Sequence, residues 1–396
     1  MSTLYLHIGT PKTGTTAMQD FFELNVDELR SYGISYPLME QRTVGDNRNG
    51  HFLSTRDYDP ELDKRNWGIV ESELKKYDKV LLSDEAIYRT GGYIEDFWKM
   101  LKKRAARTGS TLKAILYVRR QDDFFWSYYI QSIRQRQRIL RLRESVLQDW
   151  TYLPYWNYYQ YVKLIESVIG KENMIVRVYE KQQWKSENGS VVDDILEVMG
   201  IGPEQYKNLK FQSRESNPGL GDLSVAAKRY FNLVFFEKRT TLKYRKLGRL
   251  LNSADKKLAE KGMIKKRTGM TSDLREKILK KYKCSNEKLA QEYFGRKDLF
   301  FDKTIEKGDT EDVFSRAELE CVYNMWVSEA ENFPEYGFSS QQMRKLCDEA
   351  LKIYDRGDNY RFSRIKHFIR YLQRVRRLRN EQNCHADILS RFWQCE

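Results

Sequence analysis

The sequence predicts an α/β protein of three layers, α/β/α, around a central parallel sheet, followed by an all-helical C-terminal appendage. Three observations carry this. Short apolar, β-favouring runs at 4–8, 79–82, 112–118 and 174–179 alternate with segments of helical spacing, the pattern of parallel strands joined by covering helices. The first run feeds a glycine-containing turn, GTPKTG, that leads straight into a helical segment. From about residue 311 onward helical periodicity continues and strand signal stops.

Taken in order, Leu4, Tyr5, Leu6, His7 and Ile8 make the first strand, and Thr15 and Thr16 open a helical segment over 17–29. Residues 33–37 read as a short second strand, and the polar stretch 40–49 leads to Gly50, His51, Phe52 and Leu53. A weak helical pattern centred on 67–74 precedes the buried strand 79–82, which ends in Ser83, Asp84 and Glu85. A helix follows at 94–107. Strand 112–118, the clearest in the chain, runs into Arg119 and Arg120 and then an aromatic helix at 124–133. Helix 155–169 ends at Gly170, strand 174–179 follows, and helix 191–199 closes on Gly200. After a turn-rich stretch at 212–223 come basic helices at 224–236, 247–261 and 271–294. Gly295 and the polar run 303–310 mark a boundary, so domains are expected at 1–302 and 303–396.

Bulk properties narrow the class. With 40% hydrophobic and 13% aromatic residues the chain can bury a core, which excludes global disorder. A formal net charge of +14 implies attraction to anions: nucleotide, acidic glycan, nucleic acid or anionic membrane. No nucleic-acid-binding motif favours the third. Five cysteines, Cys284, Cys321, Cys347, Cys384 and Cys395, include no C-x-x-C pair, so reduced thiols are expected, with neither a disulfide framework nor a metal site. The N-terminus has no basic and apolar leader, and no apolar run approaches the ~20 residues of a membrane span. A cytoplasmic protein is expected.

The turn between first strand and first helix carries the chemistry. A strand, a glycine loop and a helix N-terminus together bring unpaired backbone N–H groups and the positive end of a helix dipole to one point, an anion cradle. Lys12 adds a mobile charge, and Thr13, Thr15 and Thr16 add hydroxyls. The plainer alternative is a tight turn with an exposed lysine. The nucleoside-triphosphatase loop, G-x-x-x-x-G-K-[ST], is not matched: Gly9 and Gly14 keep its glycine spacing, but the lysine is Lys12 and residue 15 is Thr. A second signal is Arg119 at the end of strand 112–118, with Ser127 eight residues later in the next helix. Arginine's planar fork suits a phosphate, and ligands of open α/β sheets bind at such strand ends. The alternative is an arginine paired with Asp122 or Asp123.

PKTGTT and the Arg119–Ser127 pattern, in this order and roughly a hundred residues apart, resemble the sulfotransferase family, whose donor is 3′-phosphoadenosine 5′-phosphosulfate (PAPS). The resemblance covers roughly residues 1 to 300, includes 172–180, and is closest to bacterial and carbohydrate-type members. It departs from the cytosolic phenol and steroid enzymes in lacking their glycine- and lysine-rich C-terminal motif. It implies a P-loop-like fold and transfer of a sulfuryl group, without metal, to a hydroxyl or amine of an acceptor. That acceptor is expected to be a surface polysaccharide or glycolipid, with a small hydrophobic alcohol as the variant. Pro11, Lys12, Thr13, Gly14, Thr15 and Thr16 would hold the 5′-phosphosulfate, with Lys12 at the bridging oxygen; Arg119 and Ser127 would hold the 3′-phosphate. The product would be adenosine 3′,5′-bisphosphate. The acceptor's proton needs a base: Glu85 is the first candidate and His51 its competitor, with Asp84 a third.

Weaker features complete the reading. Trp150, Tyr152, Tyr155, Trp156, Tyr158, Tyr159 and Tyr161 could stack on sugars, although core packing is the commoner meaning. Arg134, Arg136, Arg138, Arg141 and Arg143 could guide an anionic acceptor or simply face solvent. A basic amphipathic stretch at 364–379 suits either the inner face of an anionic membrane or packing against the main domain or a second subunit. Two rivals from other classes are a P-loop kinase and an inactive nucleotide- or glycan-binding module.

Overall fold

The computed structural model describes residues 1–40, 47–54, 60–90, 92–135, 138–146, 156–184, 190–211, 221–238, 244–263, 270–305, 314–332 and 338–357. Arg136, Trp150, Tyr152, Tyr155, Cys384, Cys395 and the basic stretch 364–379 lie outside these residues.

In chain order the elements are β1 (Thr3–His7), α1 (Thr15–Leu24), α2 (Val26–Ser31), β2 (Ile34–Ser35), α3 (Pro60–Lys76), β3 (Lys79–Ser83), α4 (Ile87–Thr90), α5 (Glu95–Ala106), β4 (Thr111–Val118), α6 (Gln121–Gln135), α7 (Tyr158–Ile169), β5 (Met174–Val178) and α8 (Val191–Val198). Then come α9 (Asp222–Glu237), α10 (Tyr244–Glu260), α11 (Ser272–Phe294), α12 (Arg316–Asn332) and α13 (Ser340–Asp355). The five strands form one parallel sheet in the order β2-β3-β1-β4-β5, as expected. β1 is central, with Leu4 opposite both Val80 and Leu112.

Alternation sorts the strand side chains onto two faces. Tyr5, Leu81, Ile115 and Tyr117 pack with Met18, Phe21 and Phe22 of α1 and with Val192, Ile195 and Leu196 of α8. On the opposite face α5 and α7 cover β4 and each other. These are the two helical layers. Each fully buried side chain among them, such as Phe22, contributes about 1.5–3 kcal/mol. The buried carboxylate of Asp194 ties α8 to the sheet: it accepts from Tyr117 Oη at 2.6 Å and from Arg177 Nε at 2.9 Å.

Two expectations differ in detail. The helix over 17–29 is interrupted at Asn25, whose side chain donates to the carbonyls of Phe21 (2.8 Å) and Lys210 (2.9 Å). It thereby ends α1 and pins a distant segment. The second strand shortens to Ile34–Ser35, an edge strand paired only with β3, because Pro37 has no N–H to extend the ladder.

The chain forms two compact units. The first comprises Met1–Phe124, Pro154–Arg214 and Leu279–Thr304, and holds the sheet. The second comprises Phe125–Leu153, Glu215–Ile278 and Ile305–Glu396. The second therefore begins its last segment near the expected boundary but also takes in two earlier stretches. The reason is apolar packing: α9, α10, α12 and α13 bury Phe231, Leu250, Trp326 and Ala350 among themselves, as their contacts show. No helix among the described residues is long and apolar enough to cross a membrane.

Candidate active site

β1 delivers its loop at the carboxyl edge of the sheet. The backbone stays tied to β4 beyond the strand, with Ile8 N–H donating to Ile115 O and Thr10 N–H to Tyr117 O, each at 3.0 Å. On the other side Asp84 N–H donates to His7 O at 3.1 Å. The loop is thus clamped between the ends of β3 and β4 and cannot drift from them.

Within it, Lys12 has φ 75°, the one positive φ outside glycine among the described residues. A side chain in the left-handed region costs about 1–2 kcal/mol, and such strain collects where a backbone must serve a ligand. Gly14, with φ 74°, caps α1, and its side chain position is closed: a Cβ there would stand 2.7 Å from Val191 Cγ1. No acidic residue occupies the first turn of α1, and no side chain caps its N-terminus. The first N–H groups of α1 therefore face outward with the helix dipole behind them. Pro11, Thr13 and Thr15 are buried, while Lys12 and Thr16 are exposed. The Thr13 hydroxyl donates to Thr10 O at 2.7 Å, so it closes the loop and leaves its amide, not its hydroxyl, for an anion.

Arg119, just past β4, reaches this loop. Its Nη1 donates to the Lys12 carbonyl at 2.9 Å, and its guanidinium lies 5.7 Å from the Tyr179 ring centroid. Its own carbonyl accepts from Tyr158 Oη at 2.5 Å. Arg120 is the arginine paired with Asp122, in two bonds of 2.8 and 3.0 Å. The pairing with Asp122 that was the alternative for Arg119 is thus made by its neighbour Arg120. Ser127 is half-buried on α6, past Phe124, where that helix leaves the first unit.

The base candidates gather at the end of β3. Asn49, in a stretch whose polarity marks it only as a loop, fixes them. Its side chain donates to Leu81 O (2.8 Å) and Pro37 O (3.2 Å) and accepts from Ser83 N–H (2.8 Å). Fully buried, it acts as a side-chain extension of β3 and holds Gly50 and His51 against the strand end. Gly50 sits so close that a Cβ would lie 3.1 Å from the Ser83 carbonyl carbon. His51 Nδ1 then stands 3.4 Å from Asp84 Oδ2 and 3.2 Å from Ser54 Oγ. Asp84 is buried; Arg48 Nη1 lies 3.3 Å from it, and Ala86 N–H and Ser54 Oγ also donate to it.

Electrostatics separate the neighbouring carboxylates. Burial pushes Asp84 up, but the His51 hydrogen bond, the Arg48 charge and the Ser54 hydroxyl outweigh it and hold Asp84 below the usual range. Burial and the adjacent Asp84 charge push Glu85 up. Glu85 Oε2 accepts from Gln19 Nε2 of α1 at 3.2 Å, which links it to the helix behind the anion loop.

Three described members of the aromatic cluster are core, and Tyr159 beside them is half-buried. Trp156, Tyr158 and Tyr161 are fully buried, Trp156 against Phe124 (4.5 Å) and Tyr161 against Tyr88 (4.4 Å). Arg134 is half-buried and donates to Asn252, so it is not an open guide for an anion.

Fold and loop together define an α/β protein in which the Lys12 loop, Arg119 and a cluster of Asp84, Glu85 and His51 lie at the carboxyl edge of one parallel sheet. No family model matches the chain. An uncharacterized protein of Archaeoglobus fulgidus is 28% identical over 202 residues, which is 51% of this chain and 51% of that relative. The chain spans about half the length of the curated relative it matches. Among solved structures, the crystal structure of a sulfotransferase from Alicyclobacillus acidocaldarius is similar over 60% of this chain and 96% of that one, with 16% identity and a TM-score of 0.35.

Proposed function

We propose that the protein is a PAPS-dependent sulfotransferase acting on a hydroxyl of a carbohydrate such as a surface polysaccharide or glycolipid. One observation carries the reading: the Arg119 guanidinium donates to the Lys12 carbonyl, so a cationic fork and the strained loop stand side by side at one sheet edge. A nucleotide with phosphates at both its 3′ and 5′ positions can engage both at once.

The residues fit that donor. The loop offers the Thr13 to Thr16 amides and the exposed Lys12 ammonium to a 5′-phosphosulfate, and Arg119 offers a planar fork to a 3′-phosphate. PAPS supplies an activated sulfuryl group whose bridging S–O bond breaks as the acceptor oxygen bonds to sulfur. Lys12 stabilises the charge that develops on the leaving oxygen, a contribution on the order of 3 kcal/mol for one fixed donor. Glu85 takes the acceptor's proton. Its raised proton affinity beside an ionised Asp84 is the separation that marks a general base among paired carboxylates. A second assignment rests on the Asp84–His51 contact: a buried carboxylate orients the imidazole and leaves the opposite nitrogen for the acceptor. The preference for a glycan follows the basic balance of the chain and the form of its motifs.

The reading is tested by incubating the protein with ³⁵S-labelled PAPS and cell-envelope glycans or glycolipids. Transfer of label, lost in Lys12→Ala, supports it. Tight binding of adenosine 3′,5′-bisphosphate with no transfer to any acceptor would favour a binding module instead.

A further inference from the structure

The loop closes over a histidine. His7, the last residue of β1, is fully buried and meets the Tyr117 ring edge to face at 5.7 Å. Its Nδ1 lies 2.8 Å from Ser83 Oγ. Its Nε2 is buried and has no hydrogen-bond partner among the described residues. Gly9 shows where that nitrogen points: a Cβ on Gly9 would stand 2.9 Å from Nε2 and 3.1 Å from Thr13 Oγ1. The missing Cβ leaves the gap through which Nε2 faces the inside of the loop. Thr10 Oγ1, in the same loop, is also buried without a partner among the described residues. Buried polar atoms are paired in the great majority of cases, so two orphans under one loop point to a ligand that pairs them.

The hydrogen-bond chain behind His7 sets its tautomer. Gln19 Nε2 donates to Ser83 Oγ at 3.1 Å and to Glu85 Oε2 at 3.2 Å, which uses both of its protons. Ser83 Oγ accepts from Gln19, and among the described residues His7 Nδ1 is the acceptor its own proton meets; with that bond made, the ring proton stands on Nε2. Burial pushes the imidazole down to about 4, against the pull of Asp84, so the ring is neutral and an N–H donor at ordinary pH.

We infer that His7 Nε2–H is a fixed donor in the floor of the loop, to an oxygen of the phosphate or phosphosulfate bound there. The inference rests on the anion-cradle part of the proposed function and adds a binding residue below the loop, where backbone amides alone would be expected. It also gives Gly9 a reason: any side chain there would cover the donor. Through Ser83 and Gln19 the same chain reaches Glu85, so the anion and the proposed base share one line of hydrogen bonds.

The test is nitrogen-15 spectroscopy of the full chain labelled at its four histidines. The His7 ring is recognised as the one that stays neutral well below pH 6. The inference expects it in the Nε2–H form, with that proton moving downfield when inorganic pyrophosphate or adenosine 3′,5′-bisphosphate is added. Calorimetry on two variants gives the second readout. His7→Asn can keep the Ser83 contact but lacks the outer nitrogen, and should bind pyrophosphate about tenfold or more weakly, the size of one hydrogen bond to a charged group. His7→Gln, which restores an N–H near Nε2, should recover most of that loss. If calorimetry shows either anion bound while the His7 ring signals stay still, the inference is overturned and the sulfotransferase reading is untouched. If pyrophosphate binds and moves the ring but the nucleotide does not bind, the inference stands and the sulfotransferase reading falls. If neither binds, both fall.

Discussion

The Arg119 guanidinium donates to the carbonyl of Lys12, 107 residues earlier, over 2.9 Å. Two motifs far apart in the chain therefore meet because β1 and β4 are neighbours in a parallel sheet and both end at the same edge. Arg119→Ala should weaken adenosine 3′,5′-bisphosphate binding by at least about tenfold, because a charge-assisted fork is lost. Binding of inorganic pyrophosphate, which has no 3′-phosphate, should fall far less. Calorimetry with the two ligands separates the grips; equal losses for both would mean that Arg119 merely props the loop.

Lys12 combines strain with charge, and the two can be pulled apart. Lys12→Gly removes the cost of a left-handed side chain, so its thermal stability should equal or exceed that of the parent by about 1 kcal/mol. Its sulfate transfer should fall by about a hundredfold or more, the effect of removing one fixed donor from the transition state. A rise in stability with a collapse in turnover, measured by thermal unfolding and label transfer, identifies strain retained for function. A variant that loses stability would show that the Lys12 contacts outweigh its backbone cost.

The base is identified by where the rate falls on the acid side. A base works only when deprotonated, so transfer declines as pH drops through its pKa. Burial and Asp84 raise Glu85 above its ordinary 4.5, so the acid limb belongs above that value. In Glu85→Gln this limb should vanish and the residual rate drop by about 10²–10⁴-fold. Should the limb survive there and disappear in His51→Ala, the imidazole held by Asp84 is the base. The pH–rate profiles of the two variants decide it.

Much of this arrangement was legible in the chain. The four strand runs and the turn between β1 and α1 follow from local apolar patterning, and the sheet is parallel because helices separate its strands. The break at Asn25 was not legible, because it depends on Lys210, which is brought there only by the fold. The motif pointed to Arg119, but whether an arginine there pairs with Asp122 instead was not legible; in the fold Asp122 takes Arg120 and Arg119 donates to Lys12 O. Asn49 gave no signal either, since a polar residue in a polar stretch looks solvent-facing until Leu81, Pro37 and Ser83 are seen around it. Asn49→Ala leaves that strand-end N–H and those carbonyls without their partner, each loss costing about 1–3 kcal/mol. Thermal unfolding should show destabilisation, with turnover lowered further than the folded fraction explains because His51 and Asp84 lose register.

The second unit carries its own pH signature. Lys228 on α9 is fully buried, with Nζ donating to Asn232 Oδ1 and lying 5.5 Å from the Phe231 ring. Burial pushes its pKa down from 10.5 to about 7. Between those values the unfolded chain binds a proton that the folded chain does not, so stability rises with pH across that window. Below pH 7 both states are protonated and the full cost of burying the charge is present; above 10.5 both are neutral and the cost is gone. Lys228→Met, of similar length and without the charge, should therefore raise the unfolding temperature at pH 7. Its gain over the parent should shrink steadily as pH is raised toward 10, because the parent sheds its penalty there. Tyrosine ionisation affects both proteins alike and cancels in the difference. A gain that stays constant with pH would locate the effect in packing, not in the buried ammonium.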